Sequence, residues 1–295
     1  MSEQSIGFGA GDGLIGTVTL PEAPTAVADI GFVLFNAGVI HRVGPHRINV
    51  RLARQLAARG IPSIRFDLMG HGDSARITGQ HSFEAQAVID VRAAMDALGW
   101  AAHVDRFAIF GLCSGAYHGY ETALVDERVV GLLMFDAYRY PTYKTHLYHY
   151  LKGLRQKHLL RRVIGFLRRG VASVGRQARA PGGGSPAEPA APELGRINFI
   201  PTKAEFAAGL KVLLGRGVKI AMIYSGGEIR NYNYPNQFRD TFAPLGIGDR
   251  IPAVFLPDID HQASTLTDQA ELMRLILAWS GDLLAQEATA AAGLA

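Results

Sequence analysis

The sequence predicts an α/β architecture: a mostly parallel central sheet with helices on both faces and one inserted helical segment. Three observations predict it. Short apolar, β-rich runs alternate with stretches of helical period. The alternation lapses only once, between 138 and 216. One apolar run passes directly into a glycine-flanked turn at 109–119, "IFGLCSGAYHG". Alternation of this kind points to a parallel sheet, because a parallel neighbour is reached only through a crossover connection.

Taken in order, "GFGAGDG" (7–13) precedes a strand rather than a phosphate-binding helix and reads as a turn, and "GLIGTVTLP" (13–21) reads as an edge hairpin strand. "GFVLFNAG" (31–38) is a strand, "RLARQLAARG" (51–60) a helix and "IPSIRFDLMG" (61–70) the next strand. Gly60 stops that helix and Pro62 opens that strand. "AQAVIDVRAAMDALGW" (85–100) has helical period, and "DRFAIFGLCSG" (105–115) is a strand. Further strands are "VVGLLMFDA" (129–137), "GVKIAMIYSG" (217–226) and "IPAVFLPDID" (251–260). "QAELMRLILAWSGDLL" (269–284) is a closing helix, and the Ala-rich tail after 285 is expected to fray.

This divides the chain into a core of residues 1–137 and 200–285 and a basic helical cap or lid over 138–199. The cap's first half places Leu147, Leu151, Leu154 and His158, then Leu160, Val163, Ile164 and Leu167, at helical spacing with Lys and Arg opposite. Residues 175–195 are rich in Pro, Gly and Ala and read as a flexible loop. No Asp or Glu occurs from Ala137 to Ala187. Such a segment either meets something anionic or is a solvated basic helix.

At 295 residues the chain can bury a continuous core, and its single cysteine excludes an internal disulfide and a thiolate metal cluster. With no charged-then-apolar leader, a cytoplasmic setting is expected. No apolar run approaches the roughly 20 residues that span a bilayer. No G-x-G-x-x-G follows the first parallel strand and no H-E-x-x-H occurs, so no cofactor or metal is expected. Nucleic acid is not an expected partner, and the oligomeric state is open.

The chemistry centres on Cys113. Gly111 and Gly115 lie two residues to either side of it, between a strand and a helix. A nucleophile on a sharp strand-to-helix turn adopts strained backbone angles and needs small neighbours at those two places. Ser114 fits less well, because its flanks would be Leu112 and Ala116. As the residue after the nucleophile, Ser114 offers a backbone N–H to an oxyanion. The bland alternative is a buried cysteine acting as a small hydrophobe. His261, in "FLPDIDHQAS" after the last strand, is the expected general base.

With these residues the chain resembles the α/β-hydrolase superfamily over nearly all of its length outside the insertion. "RFDLMGHGDS" (65–74) resembles the D-x-x-G-H-G-x-S turn of many members, a structural feature, so Asp67, His71 and Asp73 are not catalytic candidates. "FNAGVIHRVGPHR" together with "GLCSG" is similar to exosortase-associated and other serine-aminopeptidase-like hydrolases. Cysteine replaces the commoner serine at the elbow, as it also does in dienelactone-hydrolase-like enzymes and some chain-releasing thioesterases. The resemblance implies a third member that orients His261. Glu228 matches the usual position after the strand that follows the insertion, Asp136 is the alternative, and Asp258 and Asp260 are less favoured. It also implies a second oxyanion donor after "GFVLF", with Gly38 first and Val39 next.

His41, Arg42, His46 and Arg47 then offer cationic donors to a substrate carboxylate or phosphate, or else begin a surface helix. Tyr138, Tyr140, Tyr143, Tyr148 and Tyr150 either line an acyl pocket or fasten the cap to the core. The reaction expected is cleavage of an ester or thioester through an acyl-enzyme on Cys113. Transfer of the acyl group to an amine, alcohol or thiol is the alternative, and a non-catalytic ligand-binding relative or a membrane-surface role for the basic helix are further ones. The partner expected is a small acyl substrate, with coenzyme A-linked or acyl-carrier-protein-linked forms suggested by the basic segment.

Overall fold

The computed structural model describes residues 1–22, 28–35, 40–77, 81–155 and 200–292. Its strands are β1 (Ser2–Phe8), β2 (Leu14–Leu20), β3 (Ile30–Phe35), β4 (Ser63–Phe66), β5 (Arg106–Leu112), β6 (Val129–Phe135), β7 (Lys219–Ser225) and β8 (Ala253–Leu256). The helices are α1 (Ile48–Ala57), α2 (Phe83–Ala102), α3 (Ser114–Val125), α4 (Tyr143–Arg155), α5 (Lys203–Gly215), α6 (Gln237–Phe242) and α7 (Leu266–Ala292). The strands form one sheet in the order β1-β2-β4-β3-β5-β6-β7-β8. The β1–β2 and β2–β4 pairs are antiparallel, and every pair from β4 across to β8 is parallel.

Alternation along the central strands sends successive side chains to opposite faces and builds two cores. Val33 and Phe35 of β3, with Phe107 and Ile109 of β5, pack beneath α2, α3 and α5. Phe32 and Leu34, with Ala108, Phe110 and Leu112, pack beneath α1 and α7. Burying each Phe or Leu side chain is worth about 1.5–3 kcal/mol. Both faces of the central strands are therefore committed to packing, and the chemistry is left to the carboxyl ends of the strands.

The structure adds to the sequence reading at several points. The edge strand is β1, and "GLIGTVTLP" forms the second strand, β2. "GFGAGDG" does make the turn between them, with Gly9 and Gly11 at positive φ. Helix α5 starts from a capping box in which Thr202 accepts from the Glu205 N–H and the Glu205 carboxylate accepts from the Thr202 N–H. The Ala-rich tail does not fray after 285, since α7 continues to Ala292. Of the expected cap, α4 is a helix, whereas 156–199, including the loop expected at 175–195, lies outside the described residues. No helix among the described residues is long and apolar enough to cross a membrane.

Candidate active site

Cys113 stands between β5 and α3 with φ 54° and ψ −115°, outside the allowed regions for an L-residue. The bend is held by the Cys113 N–H, which donates to the Phe135 carbonyl at 2.8 Å. Gly111 is required by close approach: a Cβ there would collide with the Gly115 carbonyl and the Ala116 nitrogen. The thiol is half-buried rather than sealed into the core.

The imidazole of His261 faces the sulfur, delivered by the turn after β8. Its Nδ1 lies 2.7 Å from Asp136 Oδ2, which leaves Nε2 as the nitrogen for the thiol. Hydrogen bonding to Asp136 first, and to Cys113 second, raises the pKa of His261 from 6.5 to about 10. Two glycines allow the delivery. A Cβ on Gly226 would meet the Pro257 carbonyl, and one on Gly227 would stand 2.7 Å from the His261 nitrogen. The "SGG" turn after β7 thus lies directly against the segment that carries the histidine.

Asp136 follows β6 immediately, at φ 53°, a conformation that Asp tolerates better than most residues. Its side chain is fully buried. Oδ1 accepts the Ser225 N–H at 2.8 Å and Oδ2 accepts the Ser225 hydroxyl at 2.5 Å, so the carboxylate is held from the neighbouring strand β7. Arg139 brings a guanidinium nitrogen to 3.8 Å from Oδ1, too far for a hydrogen bond.

Of the two acid candidates, Asp136 is the one hydrogen-bonded to His261 among the described residues. The reason is topological: β6 lies beside β5, the strand that carries Cys113, and its first residue beyond the sheet is Asp136. Glu228 ends a short 3-10 turn after β7, and its side chain lies outside the described residues. Asp260 is engaged locally, accepting from the Gln262 and Ser264 N–H groups. Sequence reasoning missed Ser225, which nothing but its place at the end of β7 could have flagged.

Ser114 begins α3, where the first N–H groups of a helix have no intrahelical acceptor. Gly38 and Val39, expected to supply the second oxyanion donor, lie outside the described residues. Of the cationic residues that follow, His41 and Arg42 are engaged within the fold. Arg42 donates from its backbone to Asp67 Oδ1 at 2.5 Å, and its Nη1 reaches Asp67 Oδ2 at 2.5 Å and Asp73 Oδ2 at 2.7 Å. His41 Nε2 adds a contact to Asp73 at 3.3 Å. His41 and Arg42 thus brace the 65–74 turn. Gly72 is needed there because a Cβ would strike the Asp67 carboxylate. His41, Asp67 and Asp73 have the spacing of a metal site, but the Arg42 guanidinium already sits on both carboxylates.

The tyrosines also divide. Tyr138 stacks on Tyr117 with ring centres 4.2 Å apart and borders a cavity of about 320 Å³. The Tyr140 hydroxyl donates to the Pro201 carbonyl at 2.8 Å, tying the segment before α4 to the start of α5. Tyr143, Tyr148 and Tyr150 are exposed on α4, with Tyr148 stacked on Tyr234, so these three do not line that cavity.

No family model matches the sequence, and no curated protein matches it. Solved structures do. A serine hydrolase without lid from Xanthomonas campestris shares 16% identity, with 94% of this chain and 92% of that one covered at a TM-score of 0.52. An alpha/beta hydrolase from a Penicillium species shares 16%, with 97% and 99% covered at 0.51. A serine hydrolase homologue from Coxiella burnetii shares 13%, with 93% and 94% covered at 0.51. The fold is that of the α/β hydrolases. In an α/β-hydrolase fold, Cys113 occupies the elbow after β5, Asp136 the end of β6 and His261 the turn after β8, all at one edge of the sheet.

Proposed function

We propose that the protein is a cysteine-dependent hydrolase that cleaves an ester or thioester through an acyl-enzyme on Cys113. The observation that carries this reading is the position of His261, hydrogen-bonded through Nδ1 to buried Asp136 and facing the half-buried Cys113 thiol. Asp136 fixes the ring orientation and stabilises the protonated imidazole, which is the role of the third member in such a relay.

Attack by the thiolate on the acyl carbon forms the C–S bond and places negative charge on the carbonyl oxygen. The Ser114 N–H, at the head of α3, is the donor assigned to that oxyanion. Collapse of the tetrahedral species breaks the bond to the leaving group, which takes the proton held on His261 Nε2. In the second half, neutral His261 takes a proton from water, hydroxide adds to the thioester, and the carboxylic acid leaves as the thiolate and imidazolium re-form.

The test is intact-mass spectrometry after exposure to a panel of aryl esters and acyl thioesters. The wild type is expected to gain one acyl mass, and Cys113→Ala none. An adduct of equal yield on Cys113→Ala would overturn the reading.

A further inference from the structure

We propose that the cavity between α2 and α3 receives a primary ammonium group carried on an apolar stem of the substrate. The inference rests on the Cys113 reading only in calling this ligand part of the substrate. The cavity measures about 320 Å³, within the size of small-molecule sites, and Glu84, Val88, Tyr117, His118, Glu121 and Tyr138 line it.

Its position links it to Cys113. Glu84 and Val88 lie in the first two turns of α2, Tyr117, His118 and Glu121 in the first two turns of α3, and Tyr138 just beyond β6. These are the segments that leave the carboxyl ends of β4, β5 and β6, the same edge that presents the thiol. Tyr117 stands one helical turn beyond Cys113, and charge on the sulfur is felt at its hydroxyl.

The lining suits a cation. Tyr117 and Tyr138 form a stacked aromatic wall, and an ammonium group is attracted to such ring faces. Glu84 and Glu121 bring two carboxylates, and no Lys or Arg among the described residues lines the cavity. Glu121 is exposed overall, and desolvation where it meets the protein raises its pKa, a cost that a bound cation offsets. The Arg139 guanidinium reaches the Tyr117 hydroxyl and is itself faced by Asp136.

An independent observation comes from His118. It is 2% exposed, and its Nε2 has no hydrogen-bond partner. Buried polar atoms are seldom left unpaired, so the orphaned nitrogen of a residue that lines the cavity marks an unsatisfied polar group beside it. Burial lowers the pKa of His118 to about 4, so the ring is neutral at neutral pH and does not compete as a cation.

The experiment is calorimetric titration of benzylammonium against its neutral counterpart, benzyl alcohol, into the wild type, Glu121→Gln and Cys113→Ala. The wild type is expected to bind the cation about ten-fold more tightly than the alcohol. Glu121→Gln should narrow the preference to about two-fold, and Cys113→Ala should keep it. Added salt should weaken the cation alone, a readout that needs no variant. Equal affinities, no binding of the cation, or a preference indifferent to both Glu121→Gln and salt would overturn the proposal. The two readings fail separately. Cation preference without an acyl adduct leaves the cavity assignment standing, and an adduct without the preference leaves the acyl-enzyme standing.

Discussion

Two buried aspartates close two regions of this molecule, and they are built from the same residue types in opposite order of proximity. Asp67 follows β4 and Asp136 follows β6; each has a fully buried side chain, a histidine and an arginine at hand. At Asp67 the arginine is in contact, with Arg42 at 2.5 Å, and His41 stands off at 3.5 Å. At Asp136 the histidine is in contact, with His261 at 2.7 Å, and Arg139 stands off at 3.8 Å. A guanidinium does not give up its proton in the accessible pH range, so the first arrangement can only brace a turn. An imidazole can exchange its proton, so the second can take part in chemistry. The difference between scaffold and site is which base touches the carboxylate.

The comparison is broken most directly at the histidine. His261→Ala should lower the acylation rate with an aryl ester by about 10⁴-fold, measured by stopped-flow release of the phenol, because both the base and the leaving-group acid are lost. Asp136→Asn should cost about 10³-fold in the same assay, while Glu228→Gln stays within about two-fold. A larger loss in Glu228→Gln than in Asp136→Asn would move the third role back to the residue that sequence position favours.

On the scaffold side, Arg42→Ala leaves the Asp67 carboxylate buried without its main partner. It should lower unfolding free energy by about 3 kcal/mol in urea melts, with activity per folded molecule unchanged. A selective loss of activity without loss of stability would place Arg42 in substrate binding after all.

A further effect is one of pH. The pKa of His261 is raised on folding from 6.5 to about 10, so the native state binds the proton more tightly than the unfolded chain. Its contribution to stability is therefore full below about pH 6.5 and is lost as pH rises through about 10. The stability gap between wild type and His261→Gln should narrow over that window. A gap that widens would mean that the ring is held neutral.

The same contrast explains what was legible in the sequence. Strands such as "GFVLF" and "FAIFGL" are apolar on both faces because helices cover both, and buried parallel strands announce themselves this way. Strand β1 has little of that signal: Ser2–Phe8 is mostly exposed, and its pairing to β2 is carried by the backbone. The elbow was legible because its constraint is local, a glycine two residues before Cys113 that no side chain can replace.

The partner of His261 was not legible, because Asp136 and Glu228 both follow strands, and sequence order does not say that Asp136 stands on the strand beside Cys113. Nor was the use of Arg42. A run of His and Arg reads the same whether it faces a ligand or two aspartates from the next turn. The cavity wall of Tyr117 and Tyr138 joins residues from α3 and from beyond β6, a pairing fixed only when β5 and β6 lie side by side.

The central claim is that the Cys113 sulfur is paired with a protonated imidazole, and its most direct test needs no substrate. Because Cys113 is the only cysteine, the rate of alkylation by iodoacetamide reports on this sulfur alone. At about pH 6 the wild type should react at least about ten-fold faster than His261→Ala, because the imidazole takes the thiol proton and its positive charge stabilises the attacking sulfur. Identical pH profiles for the two proteins would contradict the account.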